Sequence, residues 1–160
     1  MLQHVCDLMA HLNWADAVFY RAWGKAAEAL EDEDLRRRAY HAVYVQEAFY
    51  KLLRGEAVAR PQDTLPAYSE LKERAQAGTT KLQLLAGELT AEGIARPISV
   101  PWFQSPPCVI SVREALVQVA MHSQHHRGQN IARLKQIGGE PKNVDWIIWL
   151  WKGKPEGVWD

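Results

Sequence analysis

The sequence predicts an all-α fold: a bundle of four long helices in a single domain spanning residues 1–160. Two observations carry that expectation. Apolar residues recur at steps of three and four along most of the chain, which lays one stripe along a helix. At 160 residues and 48% apolar, the chain has the size of one ordinary domain and enough apolar material for a core without disulfides.

Each element has its own signal. Leu2, Val5, Leu8, Leu12, Ala15, Phe19, Ala22, Ala26 and Leu30 form one stripe, so helix one is expected to run through all of them. The acids of EDEDL (31–35) favour the positive end of a new helix, and helix two runs from there to about Arg54, with Gly55 as its stop. GEAVARPQDTLP (55–66) is a polar connection. Helix three starts at Pro66, carries Leu71, Ala75, Leu82, Leu85 and Leu89, and ends before Gly93. IARPISVPWFQSPPCVI (94–110) holds four prolines and several β-branched residues, so it is an extended crossover or a short hairpin. Ser111 and Glu114 then form a capping box, and helix four runs to Gly138-Gly139 with Lys135 near its negative end. The long connection before helix four leaves that helix free to cross the bundle. VDWIIWLW (144–151) is a short apolar tail that must pack on something.

Several function classes lose support at once. Nineteen basic and nineteen acidic residues leave no net charge to hold a nucleic acid. Cys6 and Cys108 are far apart and form no CxxC pair, which fits a reducing cytosol. No apolar run approaches the ~20 residues that cross a bilayer, and no basic stretch precedes an apolar one at the N-terminus. The expected location is the cytoplasm. HExxH, P-loop, GxGxxG and GxSxG motifs are absent from the sequence.

The histidines stand out instead. Three of the six, His122, His125 and His126, fall within MHSQHHRGQNIARLKQIGG. At about 100° per residue, Val112, Leu116, Val119, Leu134 and Ile137 mark the apolar stripe of helix four. His126 falls on that stripe and His122 at its edge, one turn away. His125 turns toward Glu114, Gln118, Gln129 and Gln136, a solvated arc. On helix two, His41 lines up with Val45, Ala48, Phe49 and Leu52. His41, His122 and His126 therefore face a shared interior, and His125 does not. A lone inward histidine is usually a core residue with one hydrogen-bond partner. An i, i+4 pair with a third imidazole opposite instead suits a metal ion, Zn, Ni, Fe(II) or Cu, and the spacing does not choose among them. Three neutral imidazoles leave a coordination position open, as catalytic sites require. His4 and His11, seven apart on helix one, read as marginal residues on the bundle surface. Cys6 reads as packing, Cys108 follows two prolines in the crossover, and Glu47 and Asp7 are unplaced as general bases.

HSQHHRGQ followed by IARLKQIGGEP (122–141) resembles the DinB-like family, helical proteins related to the bacillithiol- and mycothiol-dependent transferases, whose members show HxxxHRGQ before a Gly- and Pro-rich helix end. HLNWAD (11–16) and RRAYHAVYVQEAFYKLL (37–53) are similar to the family's first and second helices. The resemblance implies an up-up-down-down bundle, frequent homodimers and a metal held by His41, His122 and His126. It also suggests that Gly128 permits close helix packing and that Gln129 orients a group at the pocket rim. Relatives that transfer a low-molecular-weight thiol to an electrophile imply a metal-dependent enzyme of that kind, or a hydrolase. The alternative is a non-enzymatic dimeric stress protein that binds a metal or small molecule. Trp146, Trp149 and Trp151, crowded into the tail, independently suggest a homodimer interface.

Overall fold

The computed structural model describes residues 2–160. Helix α1 spans Leu2–Gly24, α2 Glu33–Leu53, α3 Tyr68–Glu88, and a short α4 Ala91–Ala95. Strands β1 (Pro97–Gln104) and β2 (Pro107–Ser111) follow, then α5 (Val112–Gln136) and the six-residue α6 (Trp146–Trp151). The chain is mostly helical, as the periodicity predicts. The segment left open as crossover or hairpin is an antiparallel hairpin, with Ile98 opposite Ile110 and Val100 opposite Cys108. No helix among the described residues is long and apolar enough to cross a membrane.

The helix ends follow local chemistry. Asp32 accepts the Leu35 N–H at 2.9 Å and caps α2. Ser111 and Glu114 close the expected capping box on α5. At the far end of α5, Gly138 takes φ +85°, and Gly138 and Gly139 donate to the Lys135 and Leu134 carbonyls at 3.2 and 2.8 Å, a Schellman stop. Helix one is shorter than its apolar stripe. It ends at Gly24, where a Cβ would lie 2.3 Å from the Tyr68 hydroxyl. A 3₁₀ turn (Ala27–Ala29) then carries the stripe on, held by the Trp23 indole N–H on the Ala29 carbonyl at 2.8 Å. Helix three likewise stops at Glu88, and Thr90 caps α4 by accepting the Gly93 N–H at 3.0 Å.

Helices α1 and α2 each pack against both α3 and α5. The core has two apolar ends. One joins Val5, Met9 and Leu12 to Phe49 and Leu53, Leu82 and Ala86, and Val112–Val119. The other joins Phe19, Tyr20 and Trp23 to Leu35, Ala39 and Val43, Leu71 and Ala75, and Leu134. The early residues of α1 and α5 thus share an end with the late residues of α2 and α3. The helices run up, down, down, up, not up-up-down-down, and α5 lies parallel to α1. The chain crosses the length of the bundle between α2 and α3, through residues 54–67, and not before α5. Arg36, Tyr40 and Tyr44, four apart on one face of α2, fasten that crossing segment. They hold the Pro66 and Leu65 carbonyls, the Gln62 backbone and the Ala59 carbonyl respectively.

The C-terminal tail folds back onto its own chain. Trp149 is buried against Trp14 and Val144. Trp159 inserts among Tyr20 and Trp23, and its indole N–H donates to Asn13 at 2.8 Å. His11, read as a surface residue, is buried beneath this tail: its Nε2 lies 2.8 Å from the Val144 carbonyl, and Trp14, Trp146 and Trp149 surround its ring. Trp151 stays 80% exposed. Of the three tail tryptophans taken as an interface, Trp149 is thus spent inside the chain and Trp146 packs beside it.

Candidate metal centre

His41 on α2 and His122 and His126 on α5 meet where these two antiparallel helices pack. One nitrogen from each lies within 4.8 Å of the other two. The His41 and His122 Nε2 atoms are 3.2 Å apart. Zn–N bonds of ~2.0–2.1 Å around a tetrahedral ion place ligand nitrogens ~3.3 Å apart, so the pair already has ligand spacing. The ring centroids are separated by 4.9, 4.8 and 4.5 Å.

The donor set also has the right protonation. Burial, helped by the neighbouring His126, His41 and His125, pushes the His122 imidazole down to about 4. Burial and then His126 also lower His41. Both rings are neutral near pH 7 and present lone pairs, the form that binds metal. Gln129 settles which His126 nitrogen is available. Its Oε1 lies 2.8 Å from His126 Nδ1, so Nδ1 carries the proton and Nε2 is left for an ion. The same amide donates from Nε2 to His125 Nε2 at 3.1 Å. His125 is exposed and outside the cluster, as its angle on the helix predicts. His122 Nδ1 is buried without a hydrogen-bond partner.

The histidines flank the buried face of α5 instead of lying on it. That face runs through Val112, Leu116, Val119, Ser123, Arg127, Asn130 and Leu134. His122 and His126 sit beside it, half-buried, and His41 is exposed. Val112, Leu116, Val119 and Leu134 do mark that face, so its axis is the one the apolar stripe predicts, but His126 lies about 60° and His122 about 100° from the axis. Gly128 is exposed, and a Cβ there would meet nothing within 4 Å, so it does not serve close packing.

Behind the imidazoles lies a polar layer that sequence reasoning missed. Arg127 and Asp16 form an ion pair at 2.5 Å with side chains only 3% and 8% exposed. Gln46 donates to Asp16 at 2.9 Å and to Ser123 at 3.0 Å. A signal was present: Asp16 stands four residues after Leu12 and three before Phe19, on an apolar stripe where an acid needs a cation opposite.

A cavity of about 700 Å³ opens beside the imidazoles, lined by His41 and His122, by Val45 and Phe49 of α2, by Trp102 and Cys108 of the hairpin, and by Glu114. Asp7 and Glu47, the two acids considered as bases, are committed elsewhere, and Glu114 on the cavity wall is held in its cap. Asp7 pairs with Lys154 at 2.7 Å, Glu47 pairs with Arg74 at 2.7 Å, and Glu114 accepts the Ser111 N–H at 2.7 Å in its capping box. Cys6 packs on α3 with its thiol on the Ala86 carbonyl.

The model of the DinB family matches residues 1–156, nearly the whole chain. No curated protein and no solved structure matches the chain.

Proposed function

The chain belongs to the DinB family, and we propose that it is a metal-dependent enzyme whose centre is His41, His122 and His126. The observation that carries this reading is the convergence of three imidazole nitrogens within 4.8 Å at the wall of a 700 Å³ cavity. A divalent ion, Zn or Ni ahead of Fe, would supply Lewis acidity or a lowered pKa for a bound water or thiol. The protein's own part is to hold three imidazole donors from two helices and leave the cavity side uncovered. Gln129 fixes the tautomer of His126, and Phe49 and Trp102 line the cavity beside the site. The reaction class is transfer of a low-molecular-weight thiol to an electrophile, or hydrolysis. We place the enzyme in the cytoplasm, where Cys6 and Cys108 remain free thiols.

A second reading has one observation behind it. Asp7 and Glu47 are held by Lys154 and Arg74, and Glu114, on the cavity wall, is held by Ser111 in its capping box, so none of these three carboxylates is left without a partner. That favours a non-enzymatic stress protein that binds a metal or small molecule. Homodimerisation belongs to either reading. Its support is now the exposed Trp151 and Ile147 of α6, since Trp149 is buried within the chain. Light scattering at tens of micromolar checks it, and a monomer there removes it.

Elemental analysis of untagged protein tests the centre, with about one ion per chain expected. A thiol-plus-electrophile screen on the metal-loaded protein then separates the readings. Turnover that disappears in His122→Ala supports the enzyme, and tight metal binding with no turnover supports the second.

A further inference from the structure

We propose that the cavity beside the imidazoles selects a small molecule whose body is uncharged or cationic, aromatic or branched aliphatic, and that it turns away carboxylate- and phosphate-bearing compounds. This rests on reading the cavity as the substrate chamber of the metal centre, and it narrows that reading. An acidic thiol cosubstrate does not seat its body here.

The lining carries the inference. A volume of about 700 Å³ is that of a small-molecule site. Its walls are Val45, Phe49, Val100, Trp102, Phe103 and Ile110. Trp102 stands edge-on to Phe49, with ring centroids 5.4 Å apart at 84°. That geometry builds an aromatic corner against which a ring packs with its own edge or face. Trp102 and Phe103 are also 45% and 57% exposed, unusual for such large apolar groups on a short hairpin. An apolar body in the cavity would cover part of that surface.

Charge decides the rest. Neither lysine nor arginine lines the cavity, so an anionic body would lose its hydration with no cation to replace it. The one charged wall residue is Glu114. Its Oε2 accepts from the Ser111 backbone N–H at 2.7 Å and the Ser111 hydroxyl at 2.6 Å. Those bonds, with Arg113 nearby, hold its carboxyl below the usual range, so it is a carboxylate near pH 7. Arg113 itself is not part of the wall. Glu114 is exposed, and its negative charge at the rim of the apolar wall disfavours an approaching anion and favours a cation.

The test uses three matched probes: 2-(4-fluorophenyl)ethanol, 2-(4-fluorophenyl)ethylamine and 4-fluorophenylacetate. Each is titrated by fluorine NMR into the untagged full-length protein, with and without a chelator. The chelator arm decides, because a carboxylate can ligate an ion directly. Circular dichroism confirms that the chain stays helical there. The alcohol and the amine should bind at least about tenfold more tightly than the acetate. Glu114→Gln should narrow that gap while leaving the alcohol unchanged. Trp102→Ala should weaken the alcohol about tenfold without altering metal content. Alkylation of Cys108, followed by mass spectrometry, places the probe: the alcohol should slow it and leave Cys6 unaffected. Acetate binding equal to the alcohol in chelator, or Cys108 unprotected by a bound probe, overturns the proposal. Loss of metal from the unaltered protein with the probe ranking intact would instead count only against the metal centre.

Discussion

Two polar sites stand one residue apart on α5, and their difference separates structure from chemistry. Ser123 and Arg127 face Asp16 and Gln46 in the middle of the bundle. There, charge meets opposite charge at 2.5 Å and the side chains are almost fully covered. His122 and His126 face His41 across the same pair of helices, where like meets like. Their nitrogens meet no opposite charge, only each other, with His41 and His122 3.2 Å apart; burial holds His122 neutral, and a cavity reaches them. Both sites put polar groups on the inner side of a helix. Each keeps an unpaired atom, Gln46 Oε1 and Arg127 Nε in the first and His122 Nδ1 in the second, but the second borders a cavity that a ligand can enter.

The largest effect should come from opening the closed site. Arg127→Leu leaves Asp16 buried without its cation and should lower stability by about 3–5 kcal/mol, the cost of breaking a buried pair, measured by urea unfolding. If the variant loses under about 1 kcal/mol, Asp16 is less isolated than its burial indicates.

The open site should behave in the opposite manner. His41→Ala, His122→Ala or His126→Ala should each abolish stoichiometric metal, because two imidazoles hold an ion far less firmly than three. Metal-free stability should fall by less than about 1 kcal/mol, since a half-exposed ring contributes little packing. His125→Ala should change neither. Elemental analysis and urea unfolding on the four untagged variants read both quantities. A His125 variant that loses metal while the His122 variant keeps it would move the site to another face of α5.

Gln129→Ala is expected to be milder, weakening metal affinity about 10–100-fold by freeing the His126 tautomer. Competition with a coloured chelator measures it, and unchanged affinity would mean that Nδ1 needs no partner.

The smallest effect is a slope. His122 titrates near 6.5 when unfolded and at about 4 in the fold. Between those values the unfolded chain holds the extra proton, so its contribution to metal-free stability is full above about pH 6.5 and lost as pH falls toward 4. His122→Ala should flatten the pH dependence of urea midpoints across that window in the presence of chelator. Parallel curves for both proteins would place the pH sensitivity elsewhere.

Much of this was legible in the sequence because it is local. Apolar spacing marked the long helices, Ser111 and Glu114 marked the start of α5, and the i, i+4 spacing of His122 and His126 required them to share a face. What was not legible depends on partners distant in the chain. Helix direction follows from which connection spans the bundle, and residues 54–67 do so because Arg36, Tyr40 and Tyr44 hold them flat on α2. The break at Gly24 depends on Tyr68, and the burial of His11 depends on Val144. In these last two cases the deciding atom lies more than forty residues away. The Asp16–Arg127 pair was hidden in the same way, because an acid and a base 111 residues apart share no spacing that marks them as partners.

The placement of one histidine on α2 and two on α5 sets an order of events during synthesis. Domains form as the chain emerges from its N-terminal end. α1, α2 and α3 can begin to associate while the ribosome is still making the hairpin. His41 then waits as a lone imidazole, too weak a ligand to retain an ion. The other two donors arrive together, within a single turn of the last long helix. If these three histidines hold an ion, a chain halted before His126 lacks a full ligand set, and pulse-labelled chains of that length should carry no metal.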